Sequence, residues 1–351
     1  MSQGDYRWNN IEVTWEDVDV DFFVIINMPS PGEWYIPERT IIFHMEPWCS
    51  QDHQTWGVKT WGEWASPDPS RFLQVRSHRN AVNNGFWQLQ STYAQLSSLP
   101  IHKTQVIASI CSGKYFDPGH IKRVDFLKFL ESKNDDVVRV HVYALENPLG
   151  FTSWRGPLPL DEKDAALLPY RYFFSAENNQ ERNFITEKLW EPLLTETLCF
   201  YWGAPNAADY VDSRAFIALD LDDFEGAFRT IKNAILTRQW EERIDVIRRE
   251  KRKVLEHYQF FPTLERILFH ELQLPLHPDD DTVRFHKYFG RPEPDSVGSV
   301  CFIHSWTRNN DVTVLCELLD ALQTGGSLTL FFLTALLVIE ILVCMMPLFG
   351  I

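Results

Sequence analysis

Cysteine is sparse in this chain of 351 residues, with six spread from Cys49 to Cys344 and no two spaced as a CxxC pair. That spacing excludes the usual zinc ribbon or finger, and no metal site is expected. Positive charge is also short. Lys and Arg number 33 against 48 Asp and Glu, a formal net charge of -15, so a long basic groove for nucleic acid is excluded. The one dense basic run, Arg248–Lys253, alternates with Glu241, Glu242, Asp245 and Glu250 and reads as a solvated helix face. The first residues, Met1–Glu12, carry no apolar stretch of the kind that directs secretion. Unpaired cysteines and the polar start together point to a reducing, cytosolic setting for the catalytic part. What is present is apolar and aromatic: 45% hydrophobic and 14% aromatic residues, enough for two ordinary globular domains.

Short apolar runs ended by turn residues recur along the chain. Asp21–Asn27 and Arg39–His44 read as buried parallel strands, and Phe86–Leu96 as a helix stopped before Pro100. A second register opens near Thr104, with a strand at Gln105–Ile110, a helix at Ile121–Leu130 and a strand at Val137–Tyr143. Strand, helix and strand at that spacing make a βαβ unit and a parallel sheet. Further strands are expected at Tyr172–Ala176, Leu198–Trp202 and Phe216–Leu219, with helices at Thr186–Thr195, after Asp222 or Asp223, and at Thr237–Tyr258. The simplest architecture is α/β, with two Rossmann-like domains facing each other across a cleft. Residues 1–103 form the first and residues 104–274 the second. Residues 275–326, rich in Pro and Asp at first, read as a linker with an extra strand–helix unit.

The tail, residues 327–351, differs from everything before it. Leu328–Met346 is apolar with Glu340 its one charged residue, long enough to cross a hydrocarbon core of ~30 Å as a helix. A carboxylate at mid-membrane is costly, which also fits a buried core helix. The reading taken is a C-terminal hydrophobic helix that tethers the chain to a membrane, in an orientation the flanking charges do not fix.

Chemistry concentrates between Tyr170 and Trp190. A strand delivers Glu177, Asn178 and Asn179 to its carboxyl end, and after a short polar loop a helix opens at Thr186-Glu187-Lys188. A helix N-terminus presents unpaired N–H groups and a positive dipole end, which suits a pyrophosphate. An ordinary capped helix with an acidic first turn has the same pattern.

The order Phe174-Ser175-Ala176-Glu177-Asn178, then Phe184-Ile185-Thr186-Glu187-Lys188-Leu189, then Tyr201-Trp202-Gly203-Ala204-Pro205 resembles the signature of the α1,3/4-fucosyltransferase family. Ser112-Gly113 leading to Lys122-Arg123-Val124-Asp125-Phe126, and Asn147-Pro148-Leu149-Gly150, are similar to further pieces of it. The strand ending His44-Met45-Glu46-Pro47 is similar to one in the family's acceptor domain. The resemblance implies a GT-B fold, GDP-fucose or a similar nucleotide sugar as donor, a glycan or glycoprotein acceptor, and inverting transfer with no required cofactor or metal. Under it, Arg123 and Lys188 neutralise the pyrophosphate, Glu187 holds the ribose, Asn178 positions the donor, and Glu46 is the general base. Two rival readings are a transferase using another nucleotide sugar and a membrane-tethered glycan- or nucleotide-binding protein without turnover. The chain departs from the family at Phe184, where several relatives carry Tyr, and at Pro192 inside the expected helix.

Overall fold

The computed structural model describes residues 2–273, apart from 46–63 and several shorter stretches, and residues 283–288. In chain order the elements are β1 (Arg7–Trp8), β2 (Ile11–Thr14), β3 (Phe22–Ile26), β4 (Thr40–His44), β5 (Gln74–Ser77), α1 (Tyr93–Ser98), β6 (Gln105–Ile110), α2 (Pro118–Lys133), β7 (Val140–Tyr143), α3 (Asp164–Leu167), β8 (Tyr170–Ala176), α4 (Glu187–Leu194), β9 (Leu198–Trp202), β10 (Phe216–Ala218), α5 (Phe224–Leu236), α6 (Gln239–Lys253), α7 (Phe260–Arg266) and β11 (Val283–Tyr288). They form two sheets, of strand order β1-β2-β11-β3-β4-β5 and β10-β9-β8-β6-β7. Every pairing is parallel except β1 with β2. The fold is thus α/β, and strands buried on both faces explain the unbroken apolar runs in β4 and β9.

In the second sheet the chain runs from β6 outward to β7, then crosses back to β8 on the other side of β6. The strand order reverses between β6 and β8, the point at which sheets of this kind bind ligands outside the strands' carboxyl ends. The loops at that point are those that follow Ile110 and Ala176. Its core is built on Phe126, Phe174, Trp190, Phe200 and Tyr201, all fully or almost fully buried.

Three expectations are corrected. Val283–Tyr288, within the expected linker, is a strand between β2 and β3, with Phe285 opposite Val13 and Phe22. The Pro- and Asp-rich surroundings hide a six-residue segment whose first four residues, Val283–His286, alternate apolar and polar. The expected second domain runs to residue 274, yet Phe260, Phe261, Leu264, Ile267 and Leu268 pack into the core of the first sheet. The helix expected over Phe86–Leu96 starts only at Tyr93. Just before it, the Gln90 and Ser91 N–H groups donate to Asp164 and the Gln88 N–H to Glu191, so extended backbone meets carboxylates instead. Thr92 and Gln95 then exchange side-chain and backbone bonds in a capping box that fixes the start. The strand–helix unit after Gly290 and the apolar tail lie outside the described residues. Among the described residues, no helix is long and apolar enough to cross a membrane.

Candidate active site

Strand β8 ends at Ala176, and the next residue, Glu177, is fully buried. Its carboxylate accepts the Thr186 N–H at 2.9 Å, the Thr186 hydroxyl at 2.7 Å and the Tyr201 hydroxyl at 3.1 Å. Thr186 is also the N-cap of α4, accepting the Lys188 N–H at 3.3 Å. One carboxylate therefore ties the strand end to the helix start, and the polar loop between them is held at both ends. Gly119, in the first turn of α2, comes closer still: its N–H donates to the Asn178 carbonyl, and a Cβ there would lie 1.7 Å from the Glu177 carbonyl oxygen. Only glycine allows α2 to start against this loop.

Arg123 follows one turn later on α2, 7% exposed, and its Nη2 donates to the Asn178 Oδ1 at 3.3 Å. Lys188 Nζ donates to Glu187 Oε1 at 2.9 Å and stands 3.6 Å from Glu177. The four residues expected to hold the donor thus lie near one another, Asn178 on the loop after β8, Arg123 on α2, and Glu187 and Lys188 at the start of α4. Glu46, the expected base, lies outside the described residues. The strand that leads to it, β4, ends at the buried His44.

Charge within the cluster is unevenly held. Burial raises the pKa of Glu187, but Lys188 and Lys163 outweigh it and keep the carboxyl well below the usual range. Burial raises the carboxyls of Glu177 and Glu191 against the pull of Lys188 and Lys163. Lys188 is held above its ordinary pKa because Glu187 and Glu177 more than offset its burial. Lys163 bonds Glu191 at 3.1 Å and reaches Glu187 at 3.8 Å, so it fixes both carboxylates of one helix face. Nothing in the sequence marks Lys163, which belongs to no motif and sits in a charged loop. Glu177 was visible there, but nothing in its spacing revealed that it would be the buried hub.

Both departures from the family pattern have structural partners. Phe184 is buried with its ring edge-to-face against His78, centroids 5.4 Å apart, so the position is packed and not open. His78 follows β5 of the first sheet, bonds Glu181 at 2.7 Å through Nε2, and its carbonyl accepts the Asn183 amide at 2.8 Å. The loop after β8 is thereby clipped to the first sheet. Pro192 deprives the Lys188 carbonyl of its helical donor. The buried Cys199 thiol donates to that carbonyl at 3.8 Å in its place.

Residues 102–234 match the family described as "Glycosyltransferase family 10 (fucosyltransferase) C-term". This segment is a fucosyltransferase-family domain. Its boundaries enclose the whole cluster from Arg123 to Lys188 and all five strands of the second sheet, and the enzyme class is that of a glycosyltransferase. No curated protein matches the chain. Among solved structures it is similar to an α1,3-fucosyltransferase with GDP, at 16% identity and a TM-score of 0.37 over 70% of this chain and 81% of that one. It is also similar to an α1,3-fucosyltransferase with GDP-fucose, at 18% identity and a TM-score of 0.30 over 71% and 76%. The fucosyltransferase domain ends inside α5, so neither the first sheet nor α6 falls within it.

Proposed function

We propose that this protein is an inverting glycosyltransferase that moves fucose, or a related sugar, from GDP-fucose to a hydroxyl of a glycan or glycoprotein. The observation that carries the reading is the convergence of Arg123, Asn178, Glu187 and Lys188 at the strand reversal inside a fucosyltransferase-family domain. In this reading the two sheets belong to a GT-B arrangement, with the donor on the second. Departure of GDP builds negative charge on the diphosphate, and two fixed cations offset that charge without a metal. Glu187, kept ionised by Lys188 and Lys163, accepts hydrogen bonds from the ribose hydroxyls. Asn178, oriented by Arg123, helps position the donor. Glu46 removes the proton of the attacking hydroxyl from the opposite face, as single-step inversion requires. Residues 327–351 tether the enzyme to a membrane with the catalytic part on the cytosolic side.

Donor hydrolysis measured across GDP- and UDP-sugars tests this reading. Turnover of GDP-fucose is expected, and Arg123→Ala or Lys188→Ala is expected to weaken GDP binding about ten- to a hundredfold, the worth of one hydrogen bond to a charged group. Preference for a UDP-sugar would replace the donor, and failure to bind or cleave any nucleotide sugar would sink the enzyme reading.

A further inference from the structure

His120 takes no part in the roles assigned above, yet it sits among the residues that fill them. It is the third residue of α2, where backbone N–H groups lack helical partners and the dipole end is positive. The ring is 4% exposed and packs edge-on against Phe116, centroids 4.8 Å apart. Its Nδ1 makes no hydrogen bond among the described residues, and Asp117 Oδ2 stands 3.5 Å away. The Nε of Arg123, one turn along the same helix, is likewise without a partner among them. A buried polar atom without a partner is costly, and two of them side by side need an explanation.

The charged groups facing the ring come from three places. Arg123 lies on α2 itself, Lys114 on the loop before it and Lys188 on α4, while Asp117 contributes a carboxylate and the Asn178 amide favours the charged form. Burial first, then the three cations, lower the imidazole to about 3, so the ring is neutral at physiological pH. Those same cations are the groups expected to surround a diphosphate. An anion with two negative charges placed among them offsets the three cations and gives the protonated ring a partner that compensates its burial.

We propose that His120 is a third positive partner of the donor's diphosphate beside Arg123 and Lys188, and that it takes up a proton as the anion binds. The proposal rests on the GDP-sugar reading. Bound diphosphate accepts one hydrogen bond from the protonated ring and leaves two from the cations in place. Donor capture then tightens as pH falls toward 6, and release of the charged product is slowed by the same contact.

Calorimetric titration of GDP-fucose into the full chain at pH 6.5, repeated in two buffers of different ionisation enthalpy, counts the protons exchanged. The doubly esterified diphosphate of GDP-fucose has no titrating group near neutrality, so any uptake belongs to the protein. Wild type is expected to take up a fraction of a proton and to bind about tenfold more weakly at pH 8 than at pH 6, because the bound anion raises the ring from about 3 to near neutrality. His120→Gln and His120→Asn are expected to lose both the uptake and the pH dependence. Equal wild-type affinity at pH 6 and pH 8 overturns the proposal whatever the variants do, as does uptake that either variant retains. Binding without pH dependence leaves the GDP-sugar reading intact. No binding of GDP-fucose at any pH overturns both.

Discussion

The second sheet takes its five strands from one continuous stretch, Gln105 to Ala218, and the binding residues come from the same stretch. The first sheet keeps its second and third strands apart and fills the space with Val283–Tyr288, from the far side of the entire second sheet. Its covering helix, α7, also arrives late. One half is therefore assembled from near neighbours in sequence and the other from contacts across most of the chain. The halves meet through a few specific bonds, among them His78 with Glu181 and the Gln88 N–H with Glu191. A fucosyltransferase-family domain that stops inside α5 corresponds to the locally assembled half.

The largest effect that separates the halves is expected at β11. Phe285 is fully buried between β2 and β3, and Phe285→Ala should cost about 3–5 kcal/mol in denaturant unfolding. The comparison breaks if that variant is as stable as wild type, because β11 would then not be integral to the first sheet. A smaller effect comes from acid, and it draws on both halves. His44, in the first, is lowered to about 4 by burial and by His78 and Arg79; His120, in the second, is lowered to about 3. The unfolded chain protonates both near 6.5 while the folded chain does not, so stability is complete above pH 6.5 and is lost as pH falls from there toward 4. The slope is expected to approach about 1.4 kcal/mol per pH unit for each ring, measured as urea midpoints from pH 7 to 5. Replacing either His by Gln should halve it; a flat profile would mean that neither ring is held neutral. The smallest effect is at the α4 cap. Thr186→Ala removes a cap and one bond to buried Glu177, and should lower stability by about 1–2 kcal/mol in thermal or urea unfolding. No change would show that Glu177 does not depend on Thr186 for its place.

How much was readable follows the same division. The strands at Gln105–Ile110 and Leu198–Trp202 have the bounds read from their apolar runs, and α4 begins one residue after the expected start, with Thr186 as its cap. Those elements are specified by local pattern: period, cap and turn chemistry act over a few residues. The signature around Glu177 and Thr186 was legible as a strand–loop–helix, but the hub role of Glu177 was not, because it depends on Tyr201 arriving from the next strand. Lys163 and His120 were missed for a related reason. Each is an ordinary residue in sequence and matters only through what folding brings to it. The first sheet was half read: β3 and β4 announced themselves, whereas β11 carried charges and a His within a Pro- and Asp-rich region. Its partners, far away in sequence, decide that it is a strand. The helix expected over Phe86–Leu96 failed because carboxylates of the other half capture that backbone before a helix can.

The position of β11 bears on how the molecule comes into being. As the chain leaves the ribosome, every strand of the second sheet emerges before the one that completes the first. The nucleotide half can finish folding while β2 and β3 still wait with facing edges unpaired, reversing the usual order in which the N-terminal part settles first. A nascent or prematurely ended chain would thus expose two open strand edges beside a finished companion, the kind of surface that chaperones cover and that aggregation exploits.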